Sequence, residues 1–109
     1  MYWERIKKIE EEYEELKRKI AEMEEKLRDL PKGHLEAKKL GNNVYYYLRY
    51  WEDGRLKSKY LGKDAGEVLQ KLREAEDLKK SLNSLKIKIK EYEIILEKLD
   101  RILNSKPLS

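Results

Sequence analysis

Val44-Tyr45-Tyr46-Tyr47-Leu48-Arg49-Tyr50-Trp51, followed at once by Glu52-Asp53-Gly54-Arg55, interrupts a sequence that is otherwise almost entirely helical in pattern. Nearly every one of those first eight residues is β-branched, aromatic or leucine, which suits a pleated strand, and the Asp-Gly step reads as a hairpin turn. Outward from it, residues 34–40 read as a preceding strand and residues 55–61 as a following one. Gly41-Asn42-Asn43 forms a tight turn with either Gly41-Asn42 or Asn42-Asn43 at its centre. The expected product is a three-stranded antiparallel meander over residues 31–63.

The turns decide which side chains share a face. Taken as a three-residue loop, Glu52-Asp53-Gly54 sets Trp51 opposite Arg55. One face then carries Leu35, Ala37, Val44, Tyr46, Leu48, Tyr50, Leu56, Ser58 and Tyr60. The other carries His34, Glu36, Lys38, Tyr45, Tyr47, Arg49, Trp51, Arg55, Lys57 and Lys59. A two-residue turn at Asp53-Gly54 would slip the third strand by one position and bring Lys57 and Lys59 onto the apolar face, so the longer loop is expected.

On the N-terminal side, Tyr2, Ile6, Ile9, Tyr13, Leu16, Ile20, Met23, Leu27 and Leu30 recur at alternating four- and three-residue steps, the seam of a coiled coil. Opposite charges four residues apart, such as Glu15 with Lys19 and Glu22 with Lys26, support the outer surface. Leu30-Pro31-Lys32-Gly33 ends this helix, because the residue before proline disfavours the α region. After the sheet, Asp64-Ala65-Gly66-Glu67 has the spacing of a capping box and opens a second helix to residue 103. Its seam is Val68, Ala75, Leu78, Leu82, Leu85, Ile89, Tyr92, Leu96, Leu99 and Leu103, with Lys71 as a polar intruder beside Leu72.

At about 1.5 Å per residue the helices are roughly 43 and 57 Å long. The second must run back across the sheet, covering its apolar face with Val68, Leu69, Leu72 and Ala75, before it meets the first. Leu78 to Leu103 then spans 26 residues against 25 from Ile6 to Leu30. The expected fold is α+β: two long helices forming an antiparallel coiled-coil hairpin with a three-stranded antiparallel β-meander at its tip. One domain of 109 residues is expected, divided as helix one (1–30), sheet (31–63), helix two (64–103) and a frayed tail (104–109).

Composition agrees. Charged residues are 44% of the chain and hydrophobic ones 39%, a balance that suits helices needing only a narrow apolar seam. Lys and Glu are abundant beside a single Gln, as in hyperthermophile proteins and in coiled coils. The absence of cysteine excludes disulfides and thiolate metal sites. With no apolar run near a membrane span and no signal core at the N-terminus, a cytoplasmic protein without membrane association is expected.

Charge is unevenly spread within the net +4. Residues 1–30 hold 8 Lys/Arg against 10 Asp/Glu, hence −2; residues 31–63 hold 8 against 3, hence +5; residues 64–109 hold 10 against 9, hence +1. The sheet segment therefore carries the excess, which points to a polyanionic partner. Catalysis has no support: His34 is the single histidine, with no triad or metal-ligand set around it, and Gly62-Lys63 lacks the phosphate-loop spacing. No enzyme activity, cofactor, metal or small-molecule substrate is expected.

Tyr45, Tyr47 and Trp51 interleaved with Lys38, Arg49, Arg55, Lys57 and Lys59 combine stacking rings with phosphate-seeking charge. A twisted ribbon of this kind can enter a major groove, with Arg49 or Arg55 at guanine edges and the lysines on phosphates. The competing reading is that these side chains pair across strands, through cation–π contacts of about 0.5–1 kcal/mol and through Glu36 opposite Arg49. DNA is the expected partner; the alternative is a coiled-coil structural or adaptor protein whose Tyr-rich hairpin binds another protein. Five neutralised phosphates would give a slope of log K on log salt of about −4.5.

The run Tyr45-Tyr46-Tyr47-Leu48-Arg49-Tyr50, then Asp53-Gly54-Arg55-Leu56-Lys57-Ser58-Lys59-Tyr60 and a helix, resembles the arm-type DNA-binding domain of phage-like tyrosine recombinases over residues 44–75. That resemblance implies a sheet entering the major groove with a helix behind it; the catalytic domain of that family has no counterpart here. The wider pattern from Leu30-Pro31-Lys32-Gly33 to Gly62-Lys63 between charged helices is similar to small uncharacterised prokaryotic proteins, and implies no activity. Lastly, Ile87 and Ile94 lie off the seam of the second helix and Ile95 and Ile102 flank it, which points to self-association, most simply a homodimer.

Overall fold

The computed structural model describes residues 2–104; Met1 and residues 105–109, most of the expected tail, lie outside the described residues. The element order is α1 (Tyr2–Asp29), β1 (His34–Leu40), β2 (Asn43–Glu52), β3 (Arg55–Gly62) and α2 (Gly66–Asn104). The fold is thus α+β, with two long helices flanking a three-stranded antiparallel sheet in the order β1-β2-β3. The chain divides into two compact units, one of residues up to Glu25 with those from Lys80 onward, the other Lys26–Lys79.

In the first unit the helices pair antiparallel. The Tyr92 hydroxyl donates to Glu12 Oε2 at 2.6 Å, and Tyr13 donates to Glu93 Oε1 at 3.5 Å. Further along, Lys86 Nζ lies 3.4 Å from Glu24 Oε1. As numbers rise along α1, those of the partners fall along α2. Ile6, Ile9, Tyr13, Leu16, Ile20 and Met23 are turned from solvent, as are Leu82, Leu85, Ile89, Tyr92, Leu96 and Leu99, as the periodicity predicts. Tyr2, at 85% exposed, and Leu103, at 62%, belong to the predicted seam but have outrun the paired stretch. The Glu12 carboxylate, accepting the hydroxyl bond of Tyr92, holds that phenol above its usual value of 10.0; burial and the carboxylate's charge add to the effect.

In the second unit α2 begins at Gly66, two residues past the expected start at Asp64. Asp64 Oδ1 accepts from the Gly66 amide at 3.0 Å, and Ala65 O receives the first helical bond, from the Leu69 amide at 2.9 Å. The reciprocal half of the expected capping box is not made, because Glu67 pairs with Lys71 instead, at 3.4 Å. That pairing keeps Lys71 in solvent while Leu72 takes the half-buried position beside Val68 and Ala75. The buried residues of this unit are Leu48, at the centre of the middle strand, with Ala65 and Ala75; those of the first unit are Leu16 and Leu82. Among the described residues no side chain is wholly shielded from water.

The β1–β2 register is Leu35 opposite Leu48, Ala37 opposite Tyr46 and Leu40 opposite Asn43, so Gly41-Asn42 forms the first turn and the expected faces hold for these two strands. The β2–β3 register does not follow expectation. Glu52 pairs with Arg55, Trp51 with Leu56, Tyr50 with Lys57, Arg49 with Ser58, Leu48 with Lys59 and Tyr47 with Tyr60. Asp53 and Gly54 form a two-residue turn with φ of 52° and 74°, both positive as a type I′ turn requires. The whole of β3 is therefore displaced by one position: Arg55, Lys57 and Lys59 stand on the Leu48 face, and Leu56, Ser58 and Tyr60 on the Tyr47 face. The burial cost that seemed to forbid this is absent, because every residue from Arg55 to Tyr60 is exposed. A bulge between Tyr46 and Tyr47 leaves Leu61 as the extra residue and pairs Tyr46 with Gly62.

Candidate nucleic-acid interface

The expected site residues divide between the two faces of the sheet. Lys38, Tyr45, Tyr47, Arg49 and Trp51 share one face, as the β1–β2 register requires. Arg55, Lys57 and Lys59 lie on the other, a correction to the expected single basic, aromatic face that follows from the Asp53-Gly54 turn. The side chains of β3 from Arg55 to Tyr60 reach solvent from both faces.

The aromatic face is a connected cluster. The rings of Tyr47 and Tyr60 lie 5.3 Å apart, tilted by 56°, and those of Tyr45 and Tyr60 lie 6.3 Å apart, tilted by 37°. Lys38 Nζ stands 4.9 Å from the centre of the Tyr47 ring, and Lys63 Nζ 5.8 Å from that of Tyr45. Arg49 Nη1 bonds Glu36 Oε2 at 3.3 Å. Glu36 is directly opposite Tyr47 and reaches Arg49 on the diagonal, not from the facing position. Two of the expected phosphate-seeking groups are thus engaged within the sheet, one on a ring and one on a carboxylate. Trp51 has no such partner among the described residues and is 72% exposed.

On the opposite face Lys57 Nζ lies 3.5 Å from Glu52 Oε1, and no ion pair among the described residues engages Arg55 or Lys59. Exposed pairs of the Lys57–Glu52 kind hold their partners weakly, by about 0–1 kcal/mol, so the lysine can be drawn to another anion. Tyr60 and Lys63 are the cluster members that sequence reasoning missed. The signal was present in Asp53-Gly54, since a two-residue turn places Tyr60 opposite Tyr47 with no further information.

In the helical unit Ile87, Ile94, Ile95 and Ile102 are all exposed. Among the described residues no helix is long and apolar enough to cross a membrane.

No curated protein and no solved structure matches the chain. One family does, over residues 4–71, a stretch that takes in nearly all of α1, the three strands and the first turns of α2. With more than half of its length matched, the chain belongs to the family described as Domain of unknown function (DUF6788).

Proposed function

We propose that this protein binds DNA through the β2–β3 hairpin, approached along the outer edge of β3. The observation that carries the reading is the exposure of β3 on both faces, with Arg55, Lys57 and Lys59 on one and Leu56 and Tyr60, beside Trp51, on the other. A ribbon entering a groove edge-on meets phosphates on one flank and base or sugar surface on the other, which is the division of labour the hairpin offers. The excess of +5 in residues 31–63 adds long-range attraction.

A second reading, a structural or adaptor protein that docks another protein, is favoured by the Tyr45, Tyr47 and Tyr60 cluster together with exposed Trp51 and Leu56. Aromatic rings in contact at a sheet edge suit a protein surface as well as a base. Fluorescence anisotropy with labelled duplex at low salt separates the two. Binding is expected, and Lys57→Glu with Lys59→Glu should abolish it while far-ultraviolet circular dichroism stays unchanged. If the unaltered protein binds neither duplex nor single strands, the adaptor reading replaces this one.

A further inference from the structure

The exposed isoleucines of α2 form a stripe with an internal symmetry. Ile87 and Ile94 are seven residues apart, and so are Ile95 and Ile102; Glu91 lies midway in the first interval and Lys98 near the middle of the second. At about 100° per residue these six side chains fall on one side of α2, roughly 140° around the axis from Ile89, Tyr92 and Leu96, the side engaged with α1. The isoleucines are 44% to 69% exposed. Among the described residues neither Glu91 nor Lys98 makes an ion pair.

We infer that this stripe is the contact between two copies of the chain, with the two α2 helices antiparallel about a twofold axis that passes between Ile94 and Ile95. In that register Ile94 meets Ile95 of the second copy, Ile87 meets Ile102, and Glu91 meets Lys98, each contact occurring twice. A parallel pairing in register would set Glu91 against Glu91 and Lys98 against Lys98 in the midst of the apolar surface. Charge therefore selects the antiparallel arrangement, and the spacing of the isoleucines permits it without a gap. The same logic extends along the helix: residues 79–90 carry five lysines and no acid, whereas residues 91–101 carry four acids against two basic residues, so antiparallel helices lay opposite charge on opposite charge. A surface reading apolar, acidic, apolar, apolar, basic, apolar is complementary to its own reversal, which an unrelated partner would not require.

Sedimentation equilibrium of the full chain tests this. The unaltered protein should associate reversibly to a dimer, and Glu91→Lys or Lys98→Glu alone should weaken dimerisation about tenfold, because each reversal creates two like-charge contacts per dimer. The double reversal, Glu91→Lys with Lys98→Glu, should restore it. The chain has no cysteine, so orientation can be read by oxidation: Ile87→Cys and Ile102→Cys chains should cross-link when mixed and not separately. A protein that stays monomeric at millimolar concentration, single reversals without effect, or cross-linking of Ile87→Cys to itself would each overturn the inference. All these positions are exposed, so each variant should keep its helix content, which circular dichroism checks.

Discussion

Because the cations of the sheet stand on two faces, the salt dependence of DNA binding should be weaker than their total number implies. An edge-on approach engages Arg55, Lys57 and Lys59, while Lys38 is turned toward the Tyr47 ring and Arg49 toward Glu36 on the far side. Three neutralised phosphates give a slope of log K on log salt of about −2.7, against about −4.5 for a single face engaging five. Between 50 and 200 mM salt the first slope costs about 40-fold in affinity and the second about 500-fold, a difference that an anisotropy titration at four or five salt concentrations resolves. Replacing Lys59 by Gln should bring the slope to about −1.8, whereas Lys38→Gln should leave it in place. A slope near −4.5 in the unaltered protein, or an equal loss from Lys38→Gln and Lys59→Gln, would refute the division of the cations between faces.

Two further outcomes test the structure beneath the site. A Cβ built on Gly33, where φ is +115°, would fall 2.1 Å from the Arg49 carbonyl oxygen, whereas Gly54, at φ +74°, has open space around it. Gly54→Ala should therefore cost only the left-handed backbone penalty of about 1–2 kcal/mol, and Gly33→Ala more than about 4 kcal/mol in urea unfolding, since β1 cannot then reach β2. Equal effects would place Gly33 away from the middle strand. In the helical unit, the raised Tyr92 pKa means that the bond to Glu12 contributes fully below pH 10.0 and is lost as the phenol ionises above it. Absorbance at 295 nm should show a phenol titrating above 10.0 that is lost in Tyr92→Phe, and stability should fall less steeply at alkaline pH in that variant.

The helices were legible because each carries an apolar seam at a regular period. Ile6 through Met23 and Leu82 through Leu99 sit where a 3.5-residue period places them, and only Tyr2 and Leu103, at the ends, have nothing to cover them. Lys71 interrupts the period where α2 belongs to the sheet-bearing unit, and Leu72, one position on, takes over as the apolar contact. The sheet was legible in its strands and in the β1–β2 register, but not in the register of β3. Sorting β3 by polarity presumes that one of its faces is buried, and for an edge strand exposed on both sides burial exerts no preference. The conformational preference of Asp53-Gly54 was then the stronger force, and it divided the rings of the candidate site from three of its cations.

With no side chain in the described chain fully sealed from water and the few buried residues all leucine or alanine, the fold rests on a thin interior. Any molecule that covers one of its faces therefore adds a large fraction to a small reserve, by RT ln(1 + [L]/Kd). A melting curve of the intact protein becomes a detector of companions: warming it beside candidate nucleic acids, or at rising protein concentration, reports occupancy without a label, whichever surface is engaged.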